Sequence, residues 1–339
     1  MKAKNFSNQA PTKRTKLIDK LPLDTPFVAQ VFPIYACNFK CNYCVFQIDK
    51  SKRGFISDKV SMSLDLHNKF IDDLTMFPNK SKVLRYVGIG EPLLHKNIVD
   101  MIEYANSKNI ANRIEILTNA SLLTPKMSDS LISAGLDRLV ISVQGISKKK
   151  YKEICGKDIN FENFVDNLKY FYNNKKDAES YIKIVDTALD NKKDEKRFYE
   201  IFGDICDSIA IEHTVPIHKG IDYKDIIKDS SVTQFGLPIS EVQICPQPFF
   251  TIQINPDGNI VPCYSFEYPK IMGNCNNQSL YDIWNGKEFK NFRINILNGN
   301  LCKICEDCSI IKHRMFPEDD LSKDIIKLKK IYGGYYYCK

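Results

Sequence analysis

The stretch that decides the fold runs from residue 27 to residue 44 and reads FVAQVFPIYACNFKCNYC. Its first part, Phe27–Ala36, is rich in apolar, β-branched and aromatic residues, so it predicts a buried strand. Three cysteines follow directly, Cys37, Cys41 and Cys44, in the spacing Cys-x3-Cys-x2-Cys. We therefore expect a thiol-bearing loop at the C-terminal end of a strand, the position where parallel α/β folds place their chemistry.

The chain after this loop alternates short apolar strands with segments of helical spacing as far as about residue 215. Within it, Thr124-Pro125 predicts a helix start, because Thr caps helices and Pro suits the first helical position, and Gly135 marks that helix's end. Five further strands are predicted, at Val83–Ile89, Arg113–Leu117, Arg138–Val143, Tyr181–Val185 and Ser208–Glu212. Six strand–helix units predict an α/β fold with a parallel sheet, a partial (β/α)6 TIM-like barrel that falls short of the eight units of a closed one.

The C-terminal third of the chain has more Cys, Gly and Pro and no strand–helix alternation. A hairpin is predicted there, with strands Phe249–Asn255 and Ile260–Cys263 around a Pro-Asp-Gly-Asn turn. We place the domain boundary between residues 216 and 240. The predicted organisation is a basic N-terminal arm (1–26), the partial barrel (27–225), a small hairpin and helix domain (240–312), and a C-terminal helix and tail (313–339).

The composition excludes several classes of protein. The 339 residues are 43% apolar and carry a net charge of only +7, which allows packed cores and argues against a disordered chain. No apolar run approaches the roughly 18 residues of a membrane span, and no apolar segment follows the basic N-terminus as it would in a secretory signal. We therefore expect a cytoplasmic protein, and in that reducing compartment clustered cysteines are metal ligands rather than disulfides.

The loop cysteines have more than one interpretation. Three thiolates on one short loop can hold one face of a [4Fe–4S] cluster and leave one iron open for a small molecule. A structural zinc site is the alternative, but it would need a fourth protein ligand nearby. Gly88 and Gly90 could open a dinucleotide-binding fingerprint, but its third glycine would be Leu93 and the turn does not follow the first strand. Cys155 and Cys206 stand apart from the clustered cysteines, and we expect them to be buried thiols.

The cysteine spacing, with an aromatic residue before the third cysteine, resembles the radical S-adenosylmethionine (SAM) superfamily. In that family the second strand ends in a Gly-Gly-Glu-Pro-like turn, and this chain has Gly-Ile-Gly-Glu-Pro at residues 88–92. The resemblance implies that the three cysteines bind a [4Fe–4S] cluster whose open iron chelates SAM. It also implies a set of residues that contact SAM, namely Tyr43, Gly88, Gly90, Glu91, Pro92, Asn119 and Ser142. Reductive cleavage of SAM would then give a 5′-deoxyadenosyl radical that abstracts hydrogen from a substrate.

A second group of cysteines resembles the C-terminal SPASM/twitch module of radical SAM enzymes. Cys245 and Cys263 flank the predicted hairpin, and Cys302, Cys305 and Cys308 follow in the spacing Cys-x2-Cys-x2-Cys. The resemblance implies one auxiliary [4Fe–4S] cluster held by the first four of these cysteines. The longer cysteine run of the full SPASM pattern does not occur in the sequence, so a second auxiliary cluster is not implied. A four-cysteine zinc ribbon has similar spacing and is the alternative.

The resemblance implies the chemistry more closely than the substrate. We expect a small substrate, a carbohydrate-type alcohol that is oxidised or epimerised, as twitch enzymes with one auxiliary cluster do. Modification of a ribosomal peptide is the alternative, but only about 25 residues precede the first strand, too few for the leader-binding domain that such enzymes commonly carry. A non-catalytic iron–sulfur or zinc-binding protein is the third candidate.

Oxidation and epimerisation differ in the step that follows hydrogen abstraction. Oxidation needs an electron acceptor, which an auxiliary cluster can be, whereas epimerisation needs a hydrogen-atom donor such as a thiol outside the clusters. Cys308 is the candidate donor, because it is nearest in sequence to the auxiliary ligands. The other unassigned thiols are Cys155, Cys206, Cys275 and Cys338. The expected partner is an acidic flavodoxin- or ferredoxin-type electron donor attracted by positive surface charge, and nucleic acid is not expected, since the sequence has no recognised reader module.

Overall fold

The computed structural model describes residues 1–9, 14–53, 59–264, 268–306 and 308–333. The strands in these residues are β1 Lys4–Asn5, β2 Val28–Val31, β3 Val83–Tyr86, β4 Ile114–Thr118, β5 Arg138–Val143, β6 Glu179–Val185, β7 Ser208–Glu212, β8 Thr251–Ile254, β9 Asn259–Val261 and β10 Gly273–Asn274. The α-helices are α1 Leu64–Leu74, α2 Ile98–Lys108, α3 Pro125–Ser133, α4 Lys148–Cys155, α5 Phe161–Asn174, α6 Lys192–Phe202, α7 Gln247–Phe250, α8 Leu280–Asn285, α9 Lys287–Leu297, α10 Lys303–Glu306, α11 Ser309–His313 and α12 Ile325–Gly333.

All these strands belong to one sheet, in the order β1-β7-β6-β5-β4-β3-β2-β8-β9-β10. Strands β2 to β7 are joined in sequence order by five parallel pairings, from β2–β3 to β6–β7, and at least one helix connects the two strands of each pair. This is the strand–helix arrangement of a partial (β/α)6 barrel. The predicted fold class is therefore confirmed.

Alternation of side chains along the strands separates the two faces of the sheet. On β6, Ile182 and Ile184 are buried in the main core, together with Leu139 and Ile141 of β5 and the apolar faces of the helices. Neighbouring side chains on a strand point to opposite faces, so the residues between these isoleucines lie on the inner face of the partial barrel. A smaller apolar cluster lies at the ends of β2 and β3, formed by Phe32, Tyr35, Val45, Phe46, Val87 and Ile89.

The ends of two strands differ from the prediction for identifiable reasons. The first predicted strand, Phe27–Ala36, is shortened to Val28–Val31, because Pro33 has no N–H with which to continue the ladder. The second ends at Tyr86, because the two glycines that follow have φ values of +141° and +156° and turn the chain. The bounds of the other four barrel strands agree with the prediction to within two residues.

The helix predicted from Thr124-Pro125 is α3. The Thr124 hydroxyl accepts a hydrogen bond from the Met127 N–H at 3.2 Å, and Pro125 occupies the first helical position. Gly135 has a φ of +86° just beyond the helix, and the Leu136 N–H that follows donates to the carbonyl of Leu131. Both predicted ends of this helix are confirmed.

Two pairings in the sheet were not predicted. The first hairpin strand starts at Thr251 instead of Phe249, because Gln247–Phe250 forms the short helix α7. This strand, β8, pairs in parallel with β2, so the hairpin extends the barrel sheet. At the other edge, β1 of the basic N-terminal arm pairs in parallel with β7.

The predicted C-terminal helix is α12, Ile325–Gly333. The Tyr-rich tail and Cys338 lie outside the described residues. Across the ranges that the structure describes, no helix is both long enough and apolar enough to cross a membrane.

Candidate functional site

The cysteine loop, residues 37–44, follows β2 and is fixed by the last turn of α4. The Lys40 N–H donates to the carbonyl of Cys155 at 3.1 Å, and the Asn42 N–H donates to the carbonyl of Ile154 at 2.8 Å. The last carbonyls of a helix have no partner within the helix, so the loop supplies the donors that they lack. The sequence did not predict this contact, because it joins segments more than 100 residues apart.

The three loop thiols lie in a partly dehydrated environment. Burial raises the pKa of Cys37 to about 12, and it also raises the pKa values of Cys41 and Cys44. Thiols bind metal as thiolates, so these three would ionise when bound iron compensates their charge. Within the described residues, no three His, Cys, Asp or Glu side chains surround a single-ion position. Cysteines that hold a cluster bind different iron atoms, however, and this donor set fits a [4Fe–4S] cluster.

The glycine turn, residues 88–92, packs against the end of β2. A Cβ atom on Gly90 would lie 2.1 Å from the carbonyl oxygen of Ile34, and one on Gly88 would lie 2.6 Å from the ring of Phe32. Glu91, which follows Gly90, donates its N–H to the carbonyl of Ala36 at 2.8 Å. Only glycine allows the turn to come this close, and the turn therefore lies beside the start of the cysteine loop.

Glu91 connects the glycine turn to the end of β4. Its buried carboxylate accepts hydrogen bonds from the Thr118 hydroxyl at 2.5 Å, the Asn119 N–H at 2.7 Å and the Leu93 N–H at 3.0 Å. Burial raises the pKa of Glu91 to about 7, although these donors act in the opposite direction. The Asn119 side chain donates in turn to Asn38 Oδ1 at 2.9 Å, so one network joins the ends of β3 and β4 to the cysteine loop.

Tyr43 and Ser142, both predicted to contact SAM, are joined through Gln144. The Tyr43 hydroxyl donates to Gln144 Oε1, and the Gln144 amide donates to the carbonyl of Ser142 at 3.0 Å. Sequence reasoning missed Gln144 and Asn38, although each is within two residues of a predicted site residue. Pro92 starts a 3-10 turn, Pro92–Leu94, directly after Glu91. The structure thus places the predicted residues of the N-terminal site around one end of the parallel strands.

The second group of thiols forms a pocket beside the hairpin, which we call the auxiliary pocket. Four of its lining residues are Cys245, Cys263, Cys305 and Cys308. Apolar residues that line it are Phe292, Ile296, Leu301, Ile304 and Ile310. Cys302 lies beside them, with its Sγ 3.3 Å from the Sγ of Cys305. Burial raises the pKa of Cys245 to about 12 and that of Cys263 well above its usual range, so this apolar, thiol-lined pocket also fits an iron–sulfur cluster.

The remaining described thiols are buried elsewhere. Cys155 and Cys206 are buried, as the sequence predicted, and each donates its S–H to the backbone carbonyl four residues earlier, at 2.9 and 3.3 Å. Cys275 is fully buried in the core next to the hairpin. Cys308, the predicted candidate hydrogen-atom donor, lies among the thiols of the auxiliary pocket.

The segment between the two predicted domains contacts the same end of the sheet. The Tyr223 hydroxyl donates to the backbone carbonyl of Tyr43 at 3.4 Å, which ties the segment to the cysteine loop. Further along, the Gln234 side chain donates to Glu212 at the end of β7, at 2.7 Å. The sequence predicted a domain boundary here and gave no sign of these contacts.

Comparison with known proteins agrees with this geometry. Residues 31–198 match the radical SAM superfamily, and residues 245–309 match the SPASM iron–sulfur cluster-binding domain. The chain belongs to the radical SAM superfamily and carries a C-terminal SPASM domain. These domains imply SAM, a [4Fe–4S] cluster that binds it and an auxiliary [4Fe–4S] cluster, as predicted.

Two relatives align with most of the chain. One is the tungsten-containing aldehyde ferredoxin oxidoreductase cofactor-modifying protein of Pyrococcus furiosus, 25% identical over 81% of this chain and 85% of its own. The other is the S-adenosyl-L-methionine-dependent 2-deoxy-scyllo-inosamine dehydrogenase of Niallia circulans, 22% identical over 81% of this chain and 90% of its own. Among solved structures, Streptococcus suis SuiB bound to its precursor peptide SuiA has a TM-score of 0.57 at 16% identity, covering 82% of this chain and 69% of that one. That last likeness is one of fold alone.

Proposed function

We propose that this radical SAM enzyme oxidises a small, carbohydrate-type alcohol. The observation that carries the proposal is the auxiliary pocket, a second thiol-lined site beside the partial barrel. When bound, SAM and its cluster supply a radical that abstracts hydrogen, and the auxiliary cluster supplies an acceptor for the electron left on the substrate. Oxidation of an alcohol to a carbonyl removes a hydrogen atom, one electron and the hydroxyl proton; the two cluster sites would account for the hydrogen atom and the electron, and the proton would pass to water.

The chain's own residues divide into two groups in this proposal. Cys37, Cys41 and Cys44 hold the SAM-binding cluster, and Cys245, Cys263, Cys302 and Cys305 hold the auxiliary one. Contacts to SAM come from Tyr43, Gly88, Gly90, Glu91, Pro92, Asn119 and Ser142. Glu91 accepts three hydrogen bonds from the protein, so we assign it the role of holding the glycine turn against Asn119.

The relatives support a small substrate. One is named for modifying a cofactor and the other for dehydrogenating 2-deoxy-scyllo-inosamine, and each aligns with more than four fifths of its length. The segment that holds Tyr223 and Gln234 is also hydrogen-bonded to this end of the sheet, at the cysteine loop and at the end of β7.

The position of Cys308 favours oxidation over epimerisation. An epimerase needs a thiol that gives a hydrogen atom to the substrate radical, and Cys308 was the candidate for that role. Its side chain lies in the auxiliary pocket with Cys245 and Cys263. A thiol in that pocket lies against the auxiliary cluster, where it can replace Cys302 as a ligand, and this position supports a role with the electron-accepting cluster over one as a hydrogen-atom donor.

The experiment is anaerobic turnover of the reconstituted enzyme with SAM, dithionite and deuterated cyclitols and sugars, including 2-deoxy-scyllo-inosamine. We expect deuterium in 5′-deoxyadenosine together with a carbonyl product. Cys37→Ala should abolish 5′-deoxyadenosine formation, whereas Cys206→Ala, which removes a buried thiol far from both cysteine groups in sequence, should preserve it. Solvent deuterium in an epimerised product would show epimerisation instead, and no 5′-deoxyadenosine from a cluster-replete sample would refute the proposal.

We also propose an acidic flavodoxin- or ferredoxin-type protein as the electron donor and the cytoplasm as the location. The net charge of +7 favours association with an acidic donor. Seven of the twelve cysteines are assigned to clusters in this proposal, and thiols stay reduced and free to bind iron in a reducing compartment.

A further inference from the structure

The inner face of the barrel carries an ion pair that no part of the proposed function uses. Lys183 lies on β6 between Ile182 and Ile184, which are buried in the main core, so alternation places it on the inner face. Glu212 lies at the end of β7 and follows Ile211, which packs against the same core. Both residues are therefore inside the barrel, near the C-terminal ends of their strands.

The two charged groups of this ion pair are in direct contact. Lys183 Nζ lies 2.7 Å from Glu212 Oε2, and the exposed fractions of the two side chains are 17% and 6%. Gln234 Nε2 donates to the same carboxylate oxygen at 2.7 Å, and the Tyr181 hydroxyl donates to the other oxygen at 3.4 Å. Glu212 thus fixes three polar side chains from β6 and from the segment between the domains.

These side chains keep hydrogen-bonding capacity for a ligand. An ammonium has three N–H donors, and Glu212 accepts from one of them. In the part of the chain that the structure describes, the other two have no protein acceptor. The Gln234 amide also has a carbonyl oxygen, which can accept while its nitrogen donates. Donors and acceptors side by side match neighbouring hydroxyl groups, each of which both donates and accepts.

The location ties this cluster to the SAM site. Ser142 of β5 is paired in register with Lys183 of β6, and Ser142 is joined through Gln144 to Tyr43 of the cysteine loop. Burying an ion pair costs solvation free energy, which a structural role could avoid with apolar residues of similar size. A polar cluster kept at this position is better explained by a ligand that it binds.

We propose that Lys183, Glu212 and Gln234 form the binding subsite for a polyhydroxylated small molecule. Lys183 donates to a hydroxyl oxygen, the Gln234 carbonyl accepts from a neighbouring hydroxyl, and Glu212 holds both side chains in place. The inference rests on the proposed function, because it places the alcohol that is oxidised beside the SAM-binding residues.

The test measures binding separately from chemistry. Anaerobic calorimetry with SAM-loaded holoenzyme gives Kd for two probes, 2-deoxy-scyllo-inosamine and scyllo-inositol, and 5′-deoxyadenosine release gives KM for the same probes. Lys183→Met should raise Kd and KM by about 10- to 100-fold, the size expected for a lost charge-assisted hydrogen bond, and leave SAM affinity unchanged. Gln234→Ala, a change on the connecting segment, should raise them by about 5- to 10-fold.

A matched control is Lys175→Met. Lys175 pairs with Asp207 at 3.1 Å next to the opposite end of β7, and its side chain is 16% exposed, so the variant loses a similar ion pair away from the subsite. It should leave Kd and KM unchanged.

The outcomes separate the two proposals. Unchanged Kd in both Lys183→Met and Gln234→Ala, or no binding of either probe to the wild type, would overturn the subsite while SAM cleavage still supports the proposed function. Conversely, the enzyme could bind a probe in a Lys183-dependent way and never form 5′-deoxyadenosine. That result would support the subsite and refute the proposed function.

Discussion

The auxiliary pocket has five thiols in or beside it, one more than a single [4Fe–4S] cluster binds, and this surplus predicts an unequal response to cysteine replacement. Cys302, Cys305 and Cys308 are three residues apart in sequence; Cys302 precedes the short helix α10, Cys305 lies within it, and Cys308 caps the start of α11. The Cys305 N–H donates to the Cys302 carbonyl at 2.8 Å, and the Cys308 N–H donates to the Cys305 carbonyl at 3.4 Å. Cys305 and Cys308 line the pocket and the Sγ of Cys302 lies 3.3 Å from that of Cys305, so all three thiols are close enough to compete for the same cluster.

The structure gives the expected iron counts. The wild type should bind about eight irons, four at the cysteine loop and four in the auxiliary pocket. Cys302→Ala and Cys308→Ala should each keep about eight, because the other thiol takes the vacant position. Cys263→Ala should fall to about four, although it also leaves four thiols, because only Cys245 then remains on the hairpin side. The double variant Cys302→Ala/Cys308→Ala should also fall to about four.

The assay is iron and sulfide analysis after anaerobic reconstitution, with the electron paramagnetic resonance spectrum of the reduced protein as a second measurement. SAM cleavage in every variant is the control that the cluster at the cysteine loop is intact. A loss of about four irons from Cys302→Ala alone would refute the reasoning, because it would make Cys302 a required ligand with no substitute. The same loss from Cys308→Ala alone would refute it equally and would replace Cys302 in the proposed ligand set.

Three further predictions concern the sheet ends. Gly90→Ala should weaken SAM binding by at least about 100-fold by calorimetry, because a Cβ there would lie 2.1 Å from a backbone oxygen at the end of β2; unchanged affinity would contradict the close packing. Thr118→Val should lower the free energy of unfolding by about 2 kcal/mol, since it removes one of the two donors to Oε1 of the buried Glu91 carboxylate and the acceptor of the Ala120 N–H, whereas Thr118→Ser should lower it much less. The hydrogen bond to Asp186 raises the pKa of His213, so this pair stabilises the fold fully below pH ~6.5 and less as pH rises through the raised pKa. Thermal midpoints from pH 6 to 8.5 should therefore fall more in the wild type than in His213→Gln, and parallel curves would exclude the effect.

The sequence predicts the parallel barrel well because its signals are local. The six strands are short apolar runs, and the capped ends of α3 follow from single residues such as Thr124 and Gly135. The strand ends that it misplaced also have local causes, and Pro33 alone explains the early end of β2. Cysteine spacing predicts the two thiol sites for the same reason, since most of the thiols within each site are close together in sequence.

The contacts that hold the site together are long-range, and no local pattern reports them. The carbonyls of Ile154 and Cys155 fix the cysteine loop across more than 100 residues, and Gln234 reaches Glu212 from a segment with no regular structure. Such pairs depend on the three-dimensional path of the chain. The subsite around Lys183 was missed for this reason, because a lysine in a strand pattern looks like an ordinary exposed position.

The unpredicted pairing of β8 with β2 fixes the position of the two thiol sites relative to each other. β2 leads into Cys37, and β8 lies in the hairpin between Cys245 and Cys263, so the strands that carry the two sites are hydrogen-bonded neighbours. A buried hydrogen-bond network adds to this strand pairing. The hydroxyl of Tyr35 donates to Asn255 Oδ1 at 2.7 Å and lies 2.9 Å from the hydroxyl of Tyr268. A two-electron oxidation needs its electron acceptor at a constant distance from the point of hydrogen abstraction. A hairpin hinged on a flexible linker would not provide that distance, whereas a hairpin built into the barrel sheet does.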